Sequence, residues 1–95
     1  MRVRVKYLLW LALKTGTSEE VIEVPENSTI ASVLESISKS KPPGVAKVIE
    51  SILKGESEII VLHNSKTPVE GLSTVLREND VITLMPPVSG GVLIR

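Results

Sequence analysis

The chain has 95 residues, with 11 Lys and Arg against 11 Asp and Glu, one His, no Cys, one Trp, one Tyr and no Phe. That length supports one hydrophobic core and excludes a two-domain enzyme with an interdomain cleft. Balanced charge and so few stacking rings argue against a nucleic-acid partner, and the absence of Cys removes disulfide frameworks, zinc knuckles and thiol nucleophiles.

The N-terminal segment places Arg2, Arg4 and Lys6 ahead of an apolar run from Tyr7 to Leu13. That run is at the lower limit for a signal peptide, no small-residue cleavage pattern follows it, and it is far short of a membrane span. It reads instead as a strand over residues 2–14, with Val3, Val5, Tyr7, Leu9, Leu11 and Leu13 on one face and Leu8, Trp10 and the basic residues on the other. Residues 14–18 form a turn cluster, and residues 19–24 return as the second strand of a hairpin.

Pro25 ends that strand, and Asn27, Ser28 or Thr29 supplies an N-cap. Ile30, Val33, Leu34 and Ile37 then fall on one helical stripe. A second, shorter helix after Pro42-Pro43-Gly44 carries Val45, Val48, Ile49, Ile52 and Leu53 until Gly55 stops it. Residues 59–62 are apolar on both faces, as in a central strand; a turn over 63–68 and an irregular stretch over 71–80 precede a last strand over 81–85.

These elements predict an α+β fold in which a mixed sheet of four to five strands wraps one main helix, with a second short helix beside it. With the first and last strands parallel at the sheet centre this is the β-grasp, or ubiquitin-like, architecture. The pattern alone also admits a ferredoxin-like split βαβ. The expected division is a β-grasp domain over residues 1–88 and a flexible tail over 89–95.

The tail stands out by position. Pro86 and Pro87 give an extended, strand-terminating exit, and Val88-Ser89 lead to Gly90-Gly91, a pair without side chains directly beyond the last strand. By contrast, His63 has no second His or Cys for a metal site, and Ser89 has no partner base, so no stand-alone catalytic constellation is present and no metal is expected. Leu8, Trp10 and Met85 form a candidate docking patch, with Trp10 the strongest anchor.

With Val3-Arg4-Val5-Lys6-Tyr7 at the start, Glu20-Val21-Ile22-Glu23-Val24-Pro25 before the helix, Val61-Leu62-His63-Asn64 and Leu76-Arg77-Glu78-Asn79-Asp80-Val81 before the Pro-Pro-Val-Ser-Gly-Gly tail, the chain resembles the MoaD/ThiS-type sulfur carriers. Within them it is most similar to the small subunits of molybdopterin synthase. The resemblance implies a cytoplasmic, ubiquitin-like carrier without a bound cofactor. The Gly91 carboxylate would be adenylated with ATP by a ubiquitin-activating-like enzyme and converted to a thiocarboxylate. That sulfur would pass to a pterin precursor in the large synthase subunit, in molybdenum or tungsten cofactor biosynthesis. Because Val92-Leu93-Ile94-Arg95 follow Gly91, it also implies a processing protease. Ala12-Leu13 replaces the family's usual Arg-Glu pair, Asn79 a common turn glycine, and Leu84-Met85 the frequent aromatics before the proline pair. Two further readings stand beside it: a ubiquitin-like modifier joined to lysines through Gly91, and a β-grasp interaction domain without C-terminal chemistry.

Overall fold

The computed structural model describes residues 1–87, so the expectation of a flexible tail over 89–95, and the placement of Val88, lie outside the described residues. Alternating Val3, Val5 and Tyr7 drive β1 (Arg2–Tyr7), whose odd positions are buried and whose arginines are exposed. It pairs antiparallel with β2 (Glu19–Glu23), matching Arg2 to Glu23 and Lys6 to Glu19.

The connection between them is not the expected continuation of the strand. Residues Trp10–Thr15 form a helix, α1, which buries Leu11 and ends at Gly16 (φ 84), whose amide bonds the Ala12 carbonyl. The alternation that predicted a strand to residue 14 has no contrast beyond Tyr7, since Leu8, Trp10 and Ala12 are as apolar as Leu9, Leu11 and Leu13. No β-branched residue lies between Leu8 and Lys14, and Leu, Ala and Lys favour helix.

Thr29 caps α2 (Ile30–Ser40) in a capping box: its Oγ1 accepts from the Ser32 amide at 3.2 Å, and Ser32 Oγ accepts from the Thr29 amide at 2.9 Å. Lys41 is extended because Pro42 follows it. Pro43 then opens α3 (Pro43–Leu53), where a missing amide costs nothing, and Gly55 (φ 74) follows its end. Both helices have 11 residues, so α3 is as long as the helix expected to be the main one.

The sheet is completed by β3 (Ile60–His63) and β4 (Val81–Met85), with a short 3-10 turn at Gly71–Ser73 between them. The order β2-β1-β4-β3 puts β1 and β4 parallel at the centre. The strand expected at the centre, β3, lies at an edge instead, and β4 is the interior strand with Ile82, Thr83 and Leu84 buried. A run of apolar residues on both faces therefore came from one core face and one exposed apolar face.

Val3, Val5, Tyr7, Ile82 and Leu84 from the sheet meet Ile30, Val33, Leu34 and Ile37 of α2 and Val45, Ile49 and Ile52 of α3. Leu76 closes one end of this core. The irregular crossing is tied to the start of α2, with the Leu76 amide on the Ser28 carbonyl at 2.8 Å and the Ile30 amide on the Thr74 carbonyl at 3.1 Å. This is a mixed four-stranded sheet folded around helices, the β-grasp.

Candidate functional site at the exit of the last strand

The parallel register pairs Lys6 with Thr83 and Tyr7 with Leu84. One step further the Leu8 amide donates to the Leu84 carbonyl at 3.1 Å, which sets Leu8 beside Met85 where both strands leave the sheet. Two of the three residues expected to form a docking patch are thus together. Trp10, expected on the same strand face, instead opens α1 and is 45% exposed.

Pro86 has no amide to extend the ladder and is fully buried, while Pro87 is exposed. The tail is therefore mounted on a fixed residue. Gly90, Gly91 and Val88 lie outside the described residues, but covalent geometry limits Gly91 to roughly 14 Å from Pro87. Any enzyme acting on Gly91 must approach this end of the sheet that closely.

Residues paired across the sheet share a face, so the open face is apolar at the tail end in the row of Leu8, Met85 and Ile60, mixed in the next row, where Leu62 and Thr83 stand beside Lys6 and Glu19, and charged at the other end, where Arg2 faces Glu23 and Arg4 stands one row in. Two of these ionic pairs cross β1 and β2: Arg2 Nε meets Glu23 at 3.0 Å, and Arg4 meets Glu19. Ile60 and Leu62 escaped the sequence reading because their strand was placed at the centre. Leu9 and Leu13, 56% and 84% exposed, escaped it because their segment was read as a strand. The lack of β-branched residues in that run is the signal that would have placed Leu13 on a helix.

The turn from β1 into α1 is strained. Leu9 has φ 56 and ψ −133, a conformation outside the regions where a Cβ is comfortable. Asn79 (φ 67) adopts the left-handed region that Asn tolerates best.

The titratable groups away from this exit are structural ties. The Tyr7 hydroxyl donates to Glu20, which Lys41 Nζ meets at 3.1 Å, and burial together with the Glu20 carboxylate pushes the Tyr7 phenol up. His63 Nε2 lies 2.7 Å from Asp80 Oδ2, which also accepts the Arg77 amide at 2.9 Å, while Asn64 bonds the other oxygen at 3.1 Å. Burial works to raise the Asp80 pKa, but these bonds outweigh it and hold the carboxyl below the usual carboxylate range. Among the described residues no cluster of His, Cys, Asp or Glu is placed to hold a metal ion, and no helix is long and apolar enough to cross a membrane.

This combination, a β-grasp sheet whose central last strand delivers a Gly-Gly tail, defines a ubiquitin-like carrier or modifier. The profile of the ThiS family matches residues 5–91, and the chain belongs to that family. The match ends at Gly91. No curated protein matches.

Among solved structures, SAMP1 of Haloferax volcanii is similar with a TM-score of 0.80 and 24% identity, covering 96% of this chain and 100% of that one. Small archaeal modifier protein 1 of Methanosarcina acetivorans is 28% identical with a TM-score of 0.71, covering 95% and 96%. A complex of subunits 1 and 2 of the molybdopterin-converting factor from Helicobacter pylori is similar at a TM-score of 0.63 and 22% identity, covering 96% and 100%.

Proposed function

We propose that this chain is the sulfur-carrying small subunit of a molybdopterin synthase. The observation that carries this reading is the ThiS-family match, which runs from Val5 in β1 through β4 and stops on the second glycine of the tail. Removal of residues 92–95 frees the Gly91 carboxylate. An adenylating enzyme then joins that carboxylate to the α-phosphate of ATP and releases pyrophosphate. A sulfur nucleophile displaces AMP and leaves a thiocarboxylate, whose sulfur passes to a pterin precursor in the large subunit. The fold contributes positioning: buried Pro86 fixes the base of the tail, and the Leu8, Ile60, Leu62 and Met85 face gives the partner an apolar surface beside it. The Helicobacter pylori complex of subunits 1 and 2 supports a large-subunit partner.

A second reading, conjugation of Gly91 to lysines of other proteins, is favoured by the likeness to archaeal modifiers. One experiment separates the two. Chains ending at Gly91 and at Gly90 are each incubated with ATP, sulfide donor, activating enzyme, large subunit and pterin precursor. The carrier reading expects dithiolene formation with the first chain and none with the second. Isopeptide remnants of Gly91 on cellular lysines, with no dependence of pterin sulfuration on this chain, favour the modifier.

A further inference from the structure

The sheet has two outer edges, and they are closed to different degrees. The Tyr7 amide donates to the Ser18 carbonyl, and the Val24 amide to the Met1 carbonyl, each at 2.8 Å. Antiparallel pairing alternates, so Ser18, Glu20, Ile22 and Val24 turn their backbone groups toward β1, while Glu19, Val21 and Glu23 turn theirs outward. Thr17 covers Glu19, its Oγ1 accepting from the Glu19 amide at 3.4 Å and donating to the Glu19 carbonyl at 2.8 Å. Among the described residues, nothing covers Val21 and Glu23. On the β3 edge, Lys66 takes both backbone groups of His63 and Ser57 takes the Ile59 amide, which shortens the open stretch to Val61.

Beside the open part of β2 runs a groove of about 310 Å³ against α2, with Ile22, Val24 and Ile37 as its apolar lining and Glu20, Ser36 and Ser40 on its walls. Residues 19–26 include Glu19, Glu20, Glu23 and Glu26 and no cation; from outside the segment, Lys41 meets Glu20 at 3.1 Å and the N-terminal ammonium lies 3.9 Å from Glu23 and 4.0 Å from Glu26. Two copies of β2 meeting antiparallel about Val21 would set Glu19 of one against Glu23 of the other at both ends, which like-charge repulsion disfavours.

We propose that the β2 edge and the β2–α2 groove form a protein-binding site, separate from the tail end, that takes an extended segment as a fifth strand. The segment has the pattern basic, apolar, apolar, apolar, basic. Its central residue bonds the Val21 backbone and lies beside the Val21 side chain. The two neighbours turn apolar side chains into the groove over Ile22 and Ile37, and the outer two place Lys or Arg beside Glu19 and Glu23. Arg4 and Arg2 already meet these glutamates, and a carboxylate retains acceptor sites for a second cation. The site does not depend on any chemistry at Gly91.

The test is a titration of the nitrogen-15-labelled full chain with the capped peptide Lys-Val-Ile-Val-Lys, followed by amide shifts and hydrogen exchange. Expected are shifts along β2 and at Ile37 and Ser40, slowed exchange of the Val21 and Glu23 amides, and weaker binding of Glu-Val-Ile-Val-Glu. Val21→Pro removes one outward donor at an edge where proline is tolerated, and weakens binding roughly tenfold. Should that variant unfold, Ser36→Lys on the exposed groove wall gives the same readout. Absence of shifts, shifts confined to Leu8, Ile60 and Met85, or equal binding of the two peptides overturns the proposal.

Discussion

The Leu8 amide and the Leu84 carbonyl, 3.1 Å apart, hold the first and last strands together to the point where both leave the sheet. Beyond it β1 bends through Leu9 into α1, and β4 passes through buried Pro86 to exposed Pro87. The Gly-Gly tail is therefore attached to a strand that is hydrogen-bonded on both sides, with α1 beginning next to its base.

The mount should be measurable as stability. Pro86→Ala removes buried ring surface and enlarges the unfolded ensemble, and is expected to cost about 1–2 kcal/mol. Pro87→Ala, at an exposed position, should stay within about 0.5 kcal/mol. Urea midpoints for the two variants check this, and equal midpoints speak against Pro86 as the anchor.

Strain at Leu9 makes an unusual prediction. Leu9→Gly removes a side chain that is 56% exposed and relieves a Cβ conflict at φ 56, so the variant should be about 1 kcal/mol more stable, against the usual cost of glycine. A thermal melt below that of the unsubstituted chain contradicts it.

Asp80 ties the end of β3 to the turn before β4. Its carboxyl is held below the usual range, so its contribution is present at neutral pH and is lost as pH falls through the lowered pKa. Asp80→Asn should cost about 1–2 kcal/mol at neutral pH, and the gap should narrow below about pH 4. Chemical unfolding across pH tests this; a gap of constant size shows that the carboxylate charge does not matter.

The open face at the tail end should act in binding more than in folding. Ile60→Asp, on an edge strand, is expected to leave the chain folded and, under the proposed function, to weaken association with a molybdopterin synthase large subunit roughly tenfold. Val69→Asp, at a position 90% exposed in a turn outside the sheet, should bind as the parent does. Calorimetry with the purified subunit distinguishes them, and equal affinities remove the face from the interface.

Much of this was legible in the residues. The stripes Ile30–Val33–Leu34–Ile37 and Val45–Ile49–Ile52 declared their helices because polar residues flank them, and the parallel central pair followed from the order of elements. The segment from Leu8 to Leu13 did not, because an unbroken apolar run has neither period, and only the lack of β-branched residues favours helix. The strand at Ile60 misled for a related reason: apolarity on both faces marks a buried strand or an edge strand with a docking face, and sequence does not separate them. The proline exit and the glycine pair were visible directly, whereas Ile60 and Leu62 joined the candidate surface only once the sheet order was known.

The central claim is that Gly91 is the reactive terminus of a sulfur carrier. Intact-mass analysis of the protein recovered from its native cells, with the C-terminal peptide sequenced, tests it most directly. The account predicts chains ending at Gly91, a fraction of them heavier by the difference between sulfur and oxygen. Chains ending uniformly at Arg95, with neither sulfur nor adducts, would contradict it.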